Sequence, residues 1–230
     1  MDESNWSITP LGDSAILISF GHSINEYTNT KVLAAFAKIR EQAINGILDV
    51  IPAYCSLTIC YDPLLVTNCL PFKFYSDKLT PVLRSLEDRV TPKGRSIQVP
   101  VCYSTGYGLD LEKIAEIKKM DMEEIVQIHC SKSYRVYMLG FLPGFAYMGE
   151  VNEHLAMPRL AQPRPLIEAG SVGIANTQTG IYPLDSPGGW QIIGKTPLQI
   201  FNKHQDDPTF FRPGDEVQFY SISAHEFAHY

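Results

Sequence analysis

The chain has 230 residues, 45% of them hydrophobic and 19% charged, with a formal net charge of −6. That length makes one large domain or two small ones, the composition excludes a disordered tail, and the apolar runs fall far short of the roughly 20 residues a membrane-spanning helix needs. Nineteen basic residues against 25 acidic ones, with no basic run, argue against nucleic acid as a partner.

The opening Met1-Asp2-Glu3-Ser4-Asn5 is acidic and has no apolar stretch behind a basic start, so a cytoplasmic location is expected. Residues 14–20 form a short apolar run after Gly12-Asp13 and read as a strand. Val32, Phe36, Ile39 and Ala43 recur at helical spacing, which predicts a helix over about 24–43 closed near Gly46. Two β-rich segments, 47–53 and 56–61, lie close enough to form a hairpin. Leu79, Val82, Leu83, Leu86 and Val90 then fall on one helical face. These elements are read as an α+β unit of order ββαββα over 1–90, with only one strand located before the first helix, and nothing in it resembles a chemical site.

Thr91-Pro92-Lys93-Gly94 is a polar break and the expected domain boundary, which leaves 91–230 as a second domain. A strand is expected at 96–101, followed by two short helices signalled by Asp110 and by an Asp121-x-x-Glu124 capping box. After Tyr134 the helical period ends. Short strands at 134–142, 191–193, 198–201 and 216–222, punctuated by Gly and Pro, predict a closed or nearly closed β-barrel. The five cysteines (Cys55, Cys60, Cys69, Cys102, Cys130) are odd in number and contain no Cys-x-x-Cys, as expected for reduced thiols buried in a core.

Two motif matches fail on chemistry. Gly189–Thr196 spells G-x-x-x-x-G-K-[ST], but its interior is bulky and Pro197 follows where a phosphate-binding loop opens a helix. His225-Glu226-Phe227-Ala228-His229 spells H-E-x-x-H, but two histidines leave zinc a protein ligand short, so a solvated tail and no metal site are expected. Ser171 lies in Gly170-Ser171-Val172-Gly173, which is not a nucleophile elbow.

Gly and Pro are where the sequence concentrates its signal. Residues 140–197 hold nine of the 16 glycines and seven of the 16 prolines, and only seven charged residues. Arg159 and Arg164 sit there beside prolines, which limit backbone freedom; each either receives a carboxylate or phosphate or pairs with an acid on the barrel. Gln178, Thr179 and Tyr182 offer an amide, a hydroxyl and a phenol that orient a small polar ligand or satisfy buried backbone. Ser186, Gly188 and Gly189 bring N–H donors next to the aromatic wall of Trp190.

Gly140-Phe141-x-Pro143-Gly144-Phe145, Met157-Pro158-Arg159, Pro163-Arg164, Ala169 to Ala175, Gln178 to Pro183 and Ser186 to Trp190 resemble the KipI family, also described as the 5-oxoprolinase B-subunit (PxpB) or allophanate hydrolase subunit 1 family. Thr9 to Ala15 is similar to the family's start. The resemblance implies a DCoH-like ββαββα N-terminal domain and a cyclophilin-like β-barrel. It implies one of two functions. The first is a subunit, inactive alone, of a complex with PxpA-like and PxpC-like partners that uses ATP to open 5-oxo-L-proline to L-glutamate; the second is an inhibitor of a sporulation histidine kinase. No cofactor is expected on this chain itself, ATP being used by the complex. In the enzyme reading Arg159, Arg164, Gln178 and Tyr182 do the catalytic work. Phe141, Pro143, Phe145, Ser171, Thr179, Ser186, Gly188, Gly189 and Trp190 line the substrate site. Glu168, where the family usually has Pro, and Asn176-Thr177, where it usually has Gly, depart from the pattern and bear on ligand preference.

Overall fold

The computed structural model describes residues 6–86 and 94–230. The chain divides into two compact units, Met1–Lys93 and Gly94–Tyr230. Val90 and the break up to Lys93 lie outside the described residues.

The first unit is a four-stranded antiparallel sheet of order β1-β2-β4-β3, built from β1 (Ser7–Pro10), β2 (Ala15–Ser19), β3 (Ile47–Pro52) and β4 (Ser56–Tyr61). Ile16 and Ile18 on β2 alternate with outward residues, as do Leu57, Ile59 and Tyr61 on β4, so one sheet face is apolar. Helices α1 (Glu26–Gln42) and α2 (Pro71–Arg84) supply the core's other side through Val32, Ala35 and Ile39 and through Tyr75, Leu79, Val82 and Leu83. The Asn25 side chain caps α1 by accepting the Thr28 N–H at 2.8 Å. Helix α2 begins eight residues before the first of the spaced apolar positions, because Pro71 stands at its first turn, where a missing N–H costs nothing. The ββαββα order expected from the sequence is the one observed.

The second unit is a curled, partly closed sheet of order β12-β9-β10-β7-β6-β13-β5. Its strands are β5 (Ser96–Val101), β6 (Ser133–Leu139), β7 (Ala146–Gly149), β9 (Ser171–Ala175), β10 (Gln178–Ile181), β12 (Gln191–Lys195) and β13 (Glu216–Ser221). Among the described residues only the β5–β13 pairing is parallel. The two outermost strands meet at one antiparallel bridge, where Cys102 and Lys195 exchange N–H···O bonds of 2.8 and 3.0 Å. A separate two-stranded ribbon pairs β8 (Arg164–Ile167) with β11 (Ser186–Gly188). Val99, Val101, Val136, Met148, Val172, Ile174, Ile181, Ile193, Val217 and Phe219 fill the interior, and α3 (Leu111–Lys118) and α4 (Met122–Cys130) add Leu111, Ile114 and Ile125.

Several sequence expectations need correction. The strand expected over 134–142 stops at Leu139, since Phe141 takes a left-handed φ of 67°. Residues 198–201 are no strand; behind Pro197 the chain makes only the isolated bridge Phe201–Thr209. Strands β7 to β11 went unmarked because they are three to five residues long and lack a period-2 pattern: all five residues of β9 are buried, so neither face reads as polar. Neither Asp110 nor Asp121 caps its helix through the side chain. The thiols are free, yet only Cys102 is buried; Cys55, Cys60 and Cys130 are half-buried and Cys69 lies exposed in the turn before α2.

Candidate functional site

On strand β10, Gly180 lies on one face and Thr179 on the other, as strand geometry requires. A Cβ at Gly180 would stand 3.1 Å from the Phe145 ring, and one at Gly188 would stand 2.4 Å from the Tyr182 hydroxyl. Bare backbone at these positions lets large rings lie flat against the sheet. Phe145 is the hub: its ring centroid is 5.6 Å from Phe141, 4.9 Å from Tyr147, 5.3 Å from Tyr182 and 5.3 Å from Trp190, all edge-on. Ile167, Ala175 and Ile192 complete this apolar layer, which is distinct from the barrel interior.

The loop Met157–Pro163 is strapped over the layer. Leu160 N–H donates to Gly189 O at 2.7 Å, and the Gln191 side chain donates to Pro158 O at 2.9 Å. Arg159 stands on this strap, exposed, with no carboxylate partner among the described residues. Burial raises the pKa of both the Tyr147 and Tyr182 phenols, and the Arg159 charge opposes that rise in each, as does a backbone hydrogen bond from Trp190 at Tyr182. Both phenols therefore stay neutral, next to an unpaired guanidinium.

Arg164 is placed differently. Its fork donates to both oxygens of the buried Asp110 carboxylate, at 2.6 and 3.0 Å, and the same carboxylate accepts the Ile192 N–H at 2.6 Å. Of the two alternatives open for this arginine in the sequence, the ion pair is the one formed. Asp110 fails to cap α3 because its side chain is spent here. Arg164 lies opposite Gly188 in the ribbon, so the pair ties the ribbon to the barrel wall.

Thr179 is on the barrel's inner face and away from the aromatic layer. Its hydroxyl donates to Gly173 O at 3.1 Å and is 3.0 Å from His129 Nε2, and His129 Nδ1 is 2.8 Å from the Tyr103 hydroxyl. Because Thr179 donates to a carbonyl, His129 must donate from Nε2 and accept at Nδ1 from Tyr103. The ring is stacked on Phe219 and Tyr134, and burial pushes its pKa down to about 3. Thr179 thus leaves the set of ligand-facing residues.

The remaining expected residues fall around the layer. Gln178 shares the Gly180 face of β10, and Ser171 shares the Gly173 face of β9, its carbonyl accepting the Tyr182 N–H at 2.9 Å. Trp190, expected as an aromatic wall, is 5% exposed and forms part of the base; the accessible ring is Phe141, 62% exposed, with exposed Pro143 beside it. The Gly189 carbonyl is taken by Leu160. Ser186 is buried, and its hydroxyl has no hydrogen-bond partner among the described residues. Tyr147 and Asp110 were not among the expected site residues; Tyr147 was legible from its place two residues after Phe145, whereas Asp110 was marked only as a helix start.

The two misleading motifs resolve into ordinary structure. Gly189–Thr196 contains strand β12, and its lysine, Lys195, pairs with Glu168 at 2.5 Å. In the H-E-x-x-H segment, Glu226 closes a capping box with Ser223 at the start of α5 (Ala224–Phe227). Phe227 packs 4.4 Å from Tyr107, so the tail is anchored and not merely solvated. Among the described residues no group of three or more His, Cys, Asp or Glu side chains is placed to hold a metal, and no helix is long and apolar enough to cross a membrane.

Known proteins match the chain along most of its length. It is 45% identical over 98% of its residues to the 5-oxoprolinase B-subunit of Bacillus subtilis (strain 168), covering 96% of that protein. It is 37% identical over 93% of its residues to the protein of the same name from Haemophilus influenzae, again covering 96%. Among solved structures, TTHA0988 superposes with a TM-score of 0.81 at 34% identity; 91% of this chain is covered, but only 40% of that longer one. The urea amidolyase of K. lactis shares the fold, with a TM-score of 0.77 at 18% identity over 97% of this chain and 15% of that one. Residues 6–211 match the carboxyltransferase domain, subdomain C and D. By this match and by its near full-length likeness to 5-oxoprolinase B-subunits, the chain belongs to the carboxyltransferase domain, subdomain C and D, family.

Proposed function

We propose that this chain is the B-subunit of an ATP-dependent 5-oxoprolinase, a non-autonomous component that helps open 5-oxo-L-proline to L-glutamate. The observation that carries this reading is the end-to-end agreement with the Bacillus subtilis 5-oxoprolinase protein, 45% identity over 98% of the chain. The site supports it. One exposed, unpaired guanidinium over an apolar aromatic base suits a small ring bearing one carboxylate.

In this reading Arg159 holds the substrate carboxylate, Phe141 covers the ring, and Ser186 Oγ and Gln178 orient the polar edge. Tyr182 supports the base as a neutral phenol, and Arg164 acts through the ribbon it anchors. A lactam is a resonance-stabilised amide, so its opening requires coupling to ATP. The nucleotide is handled by PxpA-like and PxpC-like partners, since the only phosphate-loop lookalike among the described residues is strand β12. The greater length of the TTHA0988 chain agrees with a requirement for further protein beyond this one. Kinase inhibition is the weaker reading, because the near full-length curated relatives carry the 5-oxoprolinase name.

The test is reconstitution. Mixed with PxpA-like and PxpC-like partners and ATP, the chain should form glutamate from 5-oxoproline, and should form none alone. Absence of glutamate under conditions where the Bacillus subtilis protein supports turnover would refute the assignment.

A further inference from the structure

The loop between β6 and β7 holds an aromatic ring on backbone that its residue type disfavours. Phe141 has a φ of 67° and is 62% exposed. In left-handed backbone a Cβ crowds the following carbonyl, and a phenyl ring offers no local hydrogen bond to offset that cost. The Leu142 N–H donates to the Gly140 carbonyl at 2.8 Å and closes a γ-turn about Phe141. With a positive φ at its centre, this is the rarer and more strained γ-turn form.

The strained residue is held from several sides. The next turn, Leu142 to Phe145, has Pro143 at its second position and Gly144, with a φ of 84°, at its third, the arrangement of a type II turn. The Phe145 N–H closes it on the Leu142 carbonyl at 3.0 Å, and the Gly140 N–H donates to the Phe145 carbonyl at 3.1 Å across the base of the loop. The Phe141 ring stands edge-on to Phe145 at 5.6 Å and to Tyr182 at 6.4 Å.

A ring left so exposed gains little from burial, so core packing does not explain why the strain is kept. Strain of this kind gathers where a group must be presented in one position. Tyr182 shows what this group is presented to: it touches Phe141 and also feels the Arg159 charge, so the ring borders the base over which the unpaired guanidinium stands.

We propose that the Gly140–Phe145 loop is a fixed mount that sets Phe141 in its binding position before the substrate arrives, with Pro143 as a positioning residue and the left-handed backbone as the stability lost to that order. The proposal rests on the 5-oxoprolinase reading given above. A small acid offers few atoms for contact, so a wall that need not be ordered on binding matters more to it than to a large ligand.

The experiment separates strain from ring. Phe141→Ala and Phe141→Gly both remove the ring, but only glycine relieves the backbone. At an ordinary position alanine is the more stabilising of the two. Here urea unfolding of the chain should give Phe141→Gly a folding equilibrium constant at least about 5-fold above that of Phe141→Ala. In the complex reconstituted with PxpA-like and PxpC-like partners, both should raise the KM for 5-oxoproline by about 10-fold or more, with a much smaller change in kcat. Pro143→Ala keeps the ring and loosens its mount, so it should raise KM by about 2- to 5-fold.

Greater stability of Phe141→Ala than of Phe141→Gly overturns the proposal, and so does a KM that neither loss of the ring nor Pro143→Ala moves. A rise in the partner concentration needed for half-maximal turnover, with KM held, assigns the ring to a contact between subunits and overturns it too. Each of these outcomes leaves the functional reading standing. Failure of the wild-type complex to make glutamate overturns that reading and the proposal together.

Discussion

Asp110 and Arg164, 54 residues apart, form a two-point ion pair whose carboxylate also takes the amide proton of Ile192. Three segments, the start of α3, the ribbon and strand β12, are thereby fastened by one side chain that is 4% exposed. The two arginines that look equivalent in the sequence have separate tasks as a result.

Arg164→Ala should leave the Asp110 carboxylate buried without its cation. The fold is expected to lose about 3 kcal/mol, the lower end for breaking a buried pair because the arginine is itself partly solvated. Urea unfolding of the isolated chain reads this directly, and activity of the complex should fall along with stability. A variant that keeps full stability and loses activity would return Arg164 to direct ligand contact.

Arg159→Ala should do the reverse. With an exposed side chain and no ion-pair partner, its loss is expected to change stability by less than about 0.5 kcal/mol. The KM for 5-oxoproline should rise by about 10- to 100-fold, as for a lost charge-assisted contact. Ultraviolet titration adds an independent readout, since the Tyr147 and Tyr182 phenols lose a nearby positive charge and should ionise at higher pH.

Gly188→Ala drives a methyl group into the Tyr182 hydroxyl. The expected cost is about 1–3 kcal/mol, typical of overpacking. Trp190 fluorescence should report the shifted aromatic layer; an unchanged spectrum with unchanged stability would show that the ribbon yields freely.

Acid should destabilise the second unit through His129. Its folded-state pKa of about 3 lies below the ordinary value of 6.5, so the unfolded chain binds the proton first. Stability is full above pH 6.5 and declines as the pH falls from there toward 3. Melting temperatures across that window should show the slope, and His129→Gln, though less stable at neutral pH, should lack that histidine's share of it.

The fold was legible in the sequence where one face of an element is wet. Helix α1 buries one stripe of residues and strand β4 alternates buried with half-buried ones, so both announce themselves. Strands β9 and β10 do not, because the barrel core covers one face and the aromatic layer the other. The same concealment hid part of the site. The clustering of Gly and Pro located the ribbon and strap, but Thr179 and Gly180 are adjacent letters that end up on opposite sides of a sheet, and only the pairing register separates them. Asp110 read as a helix cap because a carboxylate before an apolar turn usually is one; its long-range partners carry no local mark.

The seam between Cys102 and Lys195 closes the curled sheet with two hydrogen bonds where its other neighbouring strands share several. Strand β12 has Lys195 at that seam and Gln191 at its opposite end. Thermal breathing of the barrel is therefore expected to begin at this seam, and the amide protons of Cys102 and Lys195 should exchange with solvent sooner than those of the central strands. Anything that clamps β12 from outside should slow that exchange, which would make the seam a gauge of occupancy.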